Sequence, residues 1–208
     1  MNYFRTFVQK YENLSEVEKW FEIKTNRKNV ERGEILVAEP FMSGDIFSRA
    51  VVYMVESSPY GSMGLVLNKA LDVGLSEIVK EAGDIHAPVY CGGPVGGEHL
   101  FYLHTCGALK GAVSVKDGVY LGGDFRELLE GLRTFRMEID AIRFFAGYSG
   151  WESGQLEMEL ERNTWIVGDM NKSDLFGNRS KDLWAHILEM MGGKYKLWSY
   201  FPENPEWN

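Results

Sequence analysis

Residues 143–160 constrain the fold of this chain more than any other stretch: an apolar run from Arg143 to Ala146, a glycine-aromatic segment, and a run of alternating apolar and acidic residues, without a break. Gly147, Gly150 and Gly154 bracket Tyr148 and Trp151. That composition suits a tight backbone reversal presenting two large rings. Beyond it, Leu156, Met158 and Leu160 alternate with Glu157, Glu159 and Glu161, the pattern of a strand with one buried and one wet face.

The flanking sequence extends the β character. Strands are expected at Ile35 to Ala38, Val51 to Val55, Gly64 to Asn68, Val89 to Cys91, Leu100 to His104, Val119 to Leu121, Ile142 to Ala146, Gln155 to Leu160 and Trp165 to Val167. Helices fall between them. A short one covers Leu75 to Glu81. A second carries Phe125, Leu128, Leu129 and Leu132 behind an Asp124 cap, with Glu127 completing a capping box. A third spans about Lys181 to Met191, with Gly192 and Gly193 as its stop. Strands and helices mix without a βαβ rhythm, so the expected fold is a single α+β domain over residues 33–208. Its sheet is curved, mixed and largely antiparallel, and is flanked by helices. Residues 1–32 form an extension. Phe4, Phe7, Val8 and Tyr11, then Ser15 and Glu18 ahead of Val17, Trp20 and Phe21, predict two short amphipathic helices. The polar stretch Lys24 to Gly33 reads as a solvated connection.

A formal charge of −8, from 22 Lys and Arg against 30 Asp and Glu, makes nucleic acid a poor partner. No segment approaches the roughly 18–20 apolar residues of a membrane span, and no signal-peptide pattern opens the chain, so a soluble cytoplasmic protein is expected. Cys91 and Cys106 are too few for a disulfide framework and fit a reducing compartment.

The segments, taken in order, resemble the YqgE/AlgH family of bacterial proteins. The resemblance is carried by Gly33 to Pro40, by Asp45, Phe47 and Arg49 leading into Val51 and Val52, and by Gly61 with Met63 to Lys69. It continues through Tyr90 with Gly92 to Val95, Leu103 and His104, Gly118 to Asp124, and the stretch after Arg143. It spans roughly residues 33–195. It implies an α+β fold with a curved mixed sheet and flanking helices. One family name comes from a role in regulating alginate production, which implies a transcriptional regulator; the acidic balance and the lack of a basic recognition helix oppose that role. The chain departs from the family pattern at Ala70, where Pro is usual, at Ser57, where His is common, and at His99, where a basic residue is frequent.

Candidate chemistry is sparse. Gly92 to Gly97 could offer N–H groups to an anion but lacks the Lys and Ser/Thr of a phosphate loop, and a strand connection is preferred. Asp124 caps a helix. Asn68 either points its amide into a cleft or closes a turn. Asp45 and Arg49, four apart, can pair. His86, His99, His104 and His186 show no metal-ligand spacing, and a His104–Cys106 nucleophile pair is weaker than a structural role. Ser149 falls short of a nucleophile elbow and reads as a turn serine. No cofactor, metal or catalytic residue is expected. The first expectation is a non-catalytic binding or interaction protein, monomeric or homodimeric, with a protein or small molecule as partner. The alternative is a ligand receptor or enzyme whose pocket gathers Asn68, Gly92, Gly93, Asp124, Tyr148, Ser149, Trp151 and Gln155.

Overall fold

A computed structural model describes residues 22–177 and 180–202; the two expected N-terminal helices lie outside the described residues. β1 (Ile35–Ala38) consists of four apolar residues buried on both faces. Such a run needs neighbours on both edges and cover on both faces. β1 lies between β2 (Val51–Ser58) and β10 (Trp165–Gly168), antiparallel to each. β2 turns into β3 (Gly61–Val66), and β3 pairs with the second half of β9 (Ile142–Glu152). The other edge of β9 takes β6 (Val95–His104), followed by the hairpin of β7 (Val113–Lys116) and β8 (Val119–Leu121). β5 (Pro88–Cys91) runs parallel to the first half of β9 and carries β4 (Ala70–Gly74) outside it. The fold is therefore α+β, with a ten-stranded mixed sheet that is antiparallel at every described pairing except β5 with β9.

The sheet curves. Lys116 at the end of β7 packs its stem against Gly33 and places Nζ 3.4 Å from Asp169 beyond β10, so the two ends of the sheet approach each other. One core fills the enclosed side, where Ile35, Val37, Leu65, Val119 and Phe145 meet helical Leu175, Leu183, Trp184, Leu188 and Trp198. The helices are α4 (Lys172–Phe176), α5 (Leu183–Met191) and α6 (Gly193–Trp198). The opposite face carries two further cores. One, with Leu36, Val52, Trp151 and Trp165, lies under α3 (Gln155–Glu161). The other, with Val89, Tyr102 and Phe144, lies under α1 (Leu75–Ile78) and α2 (Phe125–Arg133). The twofold alternation of strands divides the cores, sending Phe144 and Phe145 of β9 to opposite sides.

Four local expectations are corrected. Gln155 to Leu160 is helix α3, not a strand: Leu156 and Leu160 are buried one turn apart, while Met158 is 53% exposed. Leucines four residues apart fit either period, and Gln, Leu, Met and Glu all favour helix. The expected reversal at Gly147 to Gly154 is absent, because β9 continues to Glu152 and the chain turns only at Ser153 and Gly154 (φ 78°). Gly192 ends α5 as expected, but Gly193 begins α6 at once. The connection at 24–33 is docked: Asn26 bonds both backbone groups of Val167, Arg27 pairs with Glu34 at 2.7 Å, and Val30 is buried.

β3, β5 and β6 all reach β9 around Gly92, Gly93 and Gly147. The N–H of Gly92 donates to the Ala146 carbonyl at 2.9 Å, and the Gly92 carbonyl accepts from the N–H of Val66 at 2.9 Å. A Cβ on Gly92 would stand 2.2 Å from the Gly147 carbonyl oxygen, and one on Gly93 would stand 2.3 Å from the Tyr148 carbonyl carbon. The nearest atoms are backbone, which cannot move aside as the end of a flexible side chain can. Gly92→Ala is expected to destabilise the protein by about 3 kcal/mol, read as a lower urea midpoint.

Candidate functional site

Of the eight residues singled out for binding, the fold brings four together at this junction. Ser149 is buried and donates its hydroxyl to the Gly92 carbonyl at 3.1 Å. Gly93 lies against the Tyr148–Ser149 peptide, and the half-buried Tyr148 ring meets Phe101 edge-on, with centroids 5.6 Å apart. Asn68 closes the start of β2: its Oδ1 accepts from the N–H of Val51 at 2.9 Å, and its Nδ2 donates to the Arg49 carbonyl at 2.8 Å. The amide thus bonds the backbone across the β2–β3 ends and does not point into a cleft. Arg49 does not brace Asp45, which is exposed. Its guanidinium turns to the Phe201 carbonyl and lies 4.8 Å from the Trp184 ring centre.

Trp151 and Gln155 belong to a second cluster, centred on a residue that the sequence pattern had placed on a wet strand face. Glu159 Oε2 accepts from the indole N–H of Trp151 at 2.9 Å and of Trp165 at 2.8 Å, and its Oε1 accepts from Gln155 Nε2 at 3.0 Å. Gln155 Oε1 in turn accepts from the N–H of Glu152. The signal for this cluster was the spacing of Gln155 and Glu159, which becomes meaningful only once the segment is helical.

Asp124 stands apart from both clusters. Its carboxylate accepts from the N–H groups of Arg126 and Glu127 at 3.0 and 3.1 Å, the expected N-cap. Glu127 does not complete a capping box; it reaches across to the N–H of Lys110. The preceding glycines serve buried rings. Tyr102 donates its hydroxyl to the Gly123 carbonyl at 2.7 Å, and burial, reinforced by the Asp124 charge, pushes its pKa up to about 12. His104 is fully buried with both ring nitrogens engaged: Nε2 lies 2.7 Å from the Gly122 carbonyl, and Nδ1 accepts from the N–H of Cys106 at 3.2 Å. These partners assign the neutral tautomer with the proton on Nε2. Burial holds its pKa below the ordinary 6.5, partly opposed by the bond to the Gly122 carbonyl. Its contact with Cys106 is to backbone, so the two do not form a nucleophile pair.

Sequence reasoning passed over Arg143, although an arginine within the run Ile142 to Phe145 was a visible anomaly. The side chain is 4% exposed. It donates through Nη1 to the Leu175 carbonyl of α4 and lies 4.1 Å from the Tyr90 ring centre, while Nε and Nη2 have no acceptor among the described residues. Burial lowers its pKa and Tyr90 offsets part of that, yet a guanidinium stays protonated. On the surface, one groove of about 420 Å³ is lined by Leu71, Val73, Glu77, His86 and Pro88. Another of about 280 Å³ lies between Asn29, Ser57 and Leu156. None of the eight singled-out residues lines either groove. Among the described residues no group of three His, Cys, Asp or Glu could hold a metal, and no helix is long and apolar enough to cross a membrane.

Removing the Glu159 carboxylate leaves two indole N–H groups without an acceptor. Glu159→Ala is expected to cost about 2–4 kcal/mol, measured by urea unfolding followed through tryptophan fluorescence. As pH falls through about 6.5, the unfolded chain takes up a proton at His104 that the folded chain refuses. Stability should therefore be fully present above that pH and decline below it, by at most about 1.4 kcal/mol per pH unit from this group. His104→Asn should remove that component from a series of urea midpoints taken across pH.

The AlgH-like family, DUF179, matches residues 35–196. A UPF0301 protein of Bacteroides thetaiotaomicron is 43% identical over 193 residues, covering 90% of this chain and 96% of its own length. One of Cytophaga hutchinsonii is 37% identical over 179 residues, covering 85% and 98%. A crystal structure of a Corynebacterium diphtheriae protein shares the fold with a TM-score of 0.71 at 24% identity, over 85% of this chain and 95% of that one. The solution structure of the AlgH protein from Pseudomonas aeruginosa superposes with a TM-score of 0.64 at 26% identity, over 82% and 93%. With the family matched over residues 35–196 and relatives 43% and 37% identical along most of its length, the chain belongs to the AlgH-like family.

Proposed function

We propose that the protein is a non-catalytic binding protein of the bacterial cytoplasm that works by holding a protein partner. The observation that carries this reading is the use of the polar side chains the sequence makes conspicuous. Asn68, Asp124, Ser149, Gln155 and His104 each bond the protein's own backbone or a neighbouring side chain. A general base or nucleophile must keep a lone pair or proton within reach of substrate, and these groups spend theirs on the fold. Outer strands, by contrast, leave apolar side chains in solvent, among them Leu71, Val73 and Val113. The unpaired thiols of Cys91 and Cys106 suit a reducing compartment. The net charge of −8 favours a protein partner over nucleic acid.

Native mass spectrometry of the protein purified gently from its host, compared with its denatured mass, tests the reading. A polypeptide held at fixed stoichiometry is expected. Stoichiometric extra mass of metabolite size, or robust turnover of a defined substrate by the purified chain, would overturn it.

A further inference from the structure

β4 is an outer strand with a defect in its only described ladder. It pairs with β5 at Ala70, opposite Tyr90, and at Gly74, opposite Pro88, so Leu71, Asp72 and Val73 bulge out without ladder partners. All three are exposed, Leu71 at 37% and Val73 at 38%, and Ile78 of α1 adds a further apolar side chain at 45%. The larger groove runs along these residues, with the Glu77 carboxylate at its side; Glu77 Oε1 accepts from the Gly74 N–H at 2.8 Å, so the open part of the strand is Leu71 to Val73. Exposed strand backbone with apolar side chains is a template for another strand, and natural edges are commonly blunted by Lys, Pro or a covering group. Ala70 to Gly74 contains neither Lys nor Pro. The β10 edge shows what protection looks like in this same molecule: Asn26 donates to the Val167 carbonyl at 2.6 Å and accepts from the Val167 N–H at 2.9 Å, occupying the bonds an incoming strand would use.

We propose that β4 is the docking edge for an extended segment of a partner protein reading apolar–basic–apolar. Its basic side chain stands opposite Asp72, and its apolar residues stand opposite Leu71 and Val73. The assignment rests on the binding reading above and names the surface that serves it. Directly opposed residues of an antiparallel pair share a face, so the alternation of β4 is copied into its partner. Charge selects the occupant. Asp72 is the only charge on the strand, Glu77 adds a second carboxylate to the groove, and the whole chain carries −8. A second copy of this chain, paired about a twofold axis centred at Asp72, would set Asp72 against Asp72, which like charges disfavour. Affinity would come from main-chain hydrogen bonds and specificity from the three side chains.

A random peptide library displayed on phage and selected on the full chain tests this edge. Peptides of the apolar–basic–apolar pattern should be enriched and should shift the backbone amide resonances of Leu71, Asp72, Val73 and Gly74. Asp72→Lys, an exposed position, should leave the remaining resonances in place and weaken those peptides about tenfold. Selection on that variant should enrich apolar–acidic–apolar peptides instead, an inversion that mere structural damage would not produce. No enrichment, or enriched peptides indifferent to Asp72→Lys, would overturn the proposal. Peptides that shift a different surface would overturn this edge while leaving the binding reading intact. That reading fails separately, through turnover or a stoichiometric metabolite.

Discussion

The architecture depends on bare backbone meeting bare backbone at Gly92, Gly93 and Gly147. β9 is the strand through which the sheet passes, with β6 along one edge and β5 then β3 along the other. Two strands can share one edge only if the chain leaving β5 clears the main chain of β9 at the place where β3 takes over. The Gly92 carbonyl serves that handover, accepting from Val66 of β3 and from the Ser149 hydroxyl of β9. Gly147 adopts φ 70° opposite the register shift in β6, which lets β9 bend without ending. All three cores hang from this strand, because its alternate side chains feed both faces.

Charge is buried in this protein as a fastener. Arg143 and Arg49 each donate to a main-chain carbonyl and lie over an aromatic ring, with no carboxylate partner among the described residues. The planar guanidinium, with five donors and a stackable face, suits that use better than an ammonium would. Arg143 ties α4 to the sheet, and Arg49 ties Phe201, after α6, against the start of β2. Glu159 is the anionic counterpart: two indoles and an amide converge on one carboxylate and bind α3 to β9 and β10. Each fastener joins elements far apart in sequence, as a curved sheet with layers on both faces requires.

The two strand edges differ in the same terms. At β10 a residue before the domain's first strand fills the ladder with its own amide, so that edge is closed by the chain itself. At β4 the bulge turns three residues away from β5, and apolar side chains remain in water. A protein whose conspicuous polar groups are committed inward still has backbone to offer there, which is why its surface chemistry reads as strand pairing and charge.

Most of the fold was legible in the sequence because it rests on local periodicity. The apolar runs at Ile35 and Val51, the Asp124 cap and the Gly192 stop are each decided within a few residues. The AlgH-like membership was legible too, because seven short motifs stand in order along the chain. The bonding partners of the candidate residues were not legible, because hydrogen bonds such as Ser149 to Gly92 span 57 positions. The helix at Gln155 to Glu161 was misread because Leu156 and Leu160 satisfy either period; the indoles of Trp151 and Trp165, waiting for Glu159 on one side, favour the helix. The sequence by itself determined eight of the ten strands, the Asp124 cap, the Gly192 stop and the family; it left out Ala70–Gly74 and Val113–Lys116, which are short and lack a run of buried apolar residues. Only the tertiary structure decided that Arg143 and Glu159 are fasteners, that Asn26 closes one edge and that Leu71 to Val73 of β4 have no ladder partners among the described residues, because those outcomes depend on which distant segments compete for the same donors and acceptors.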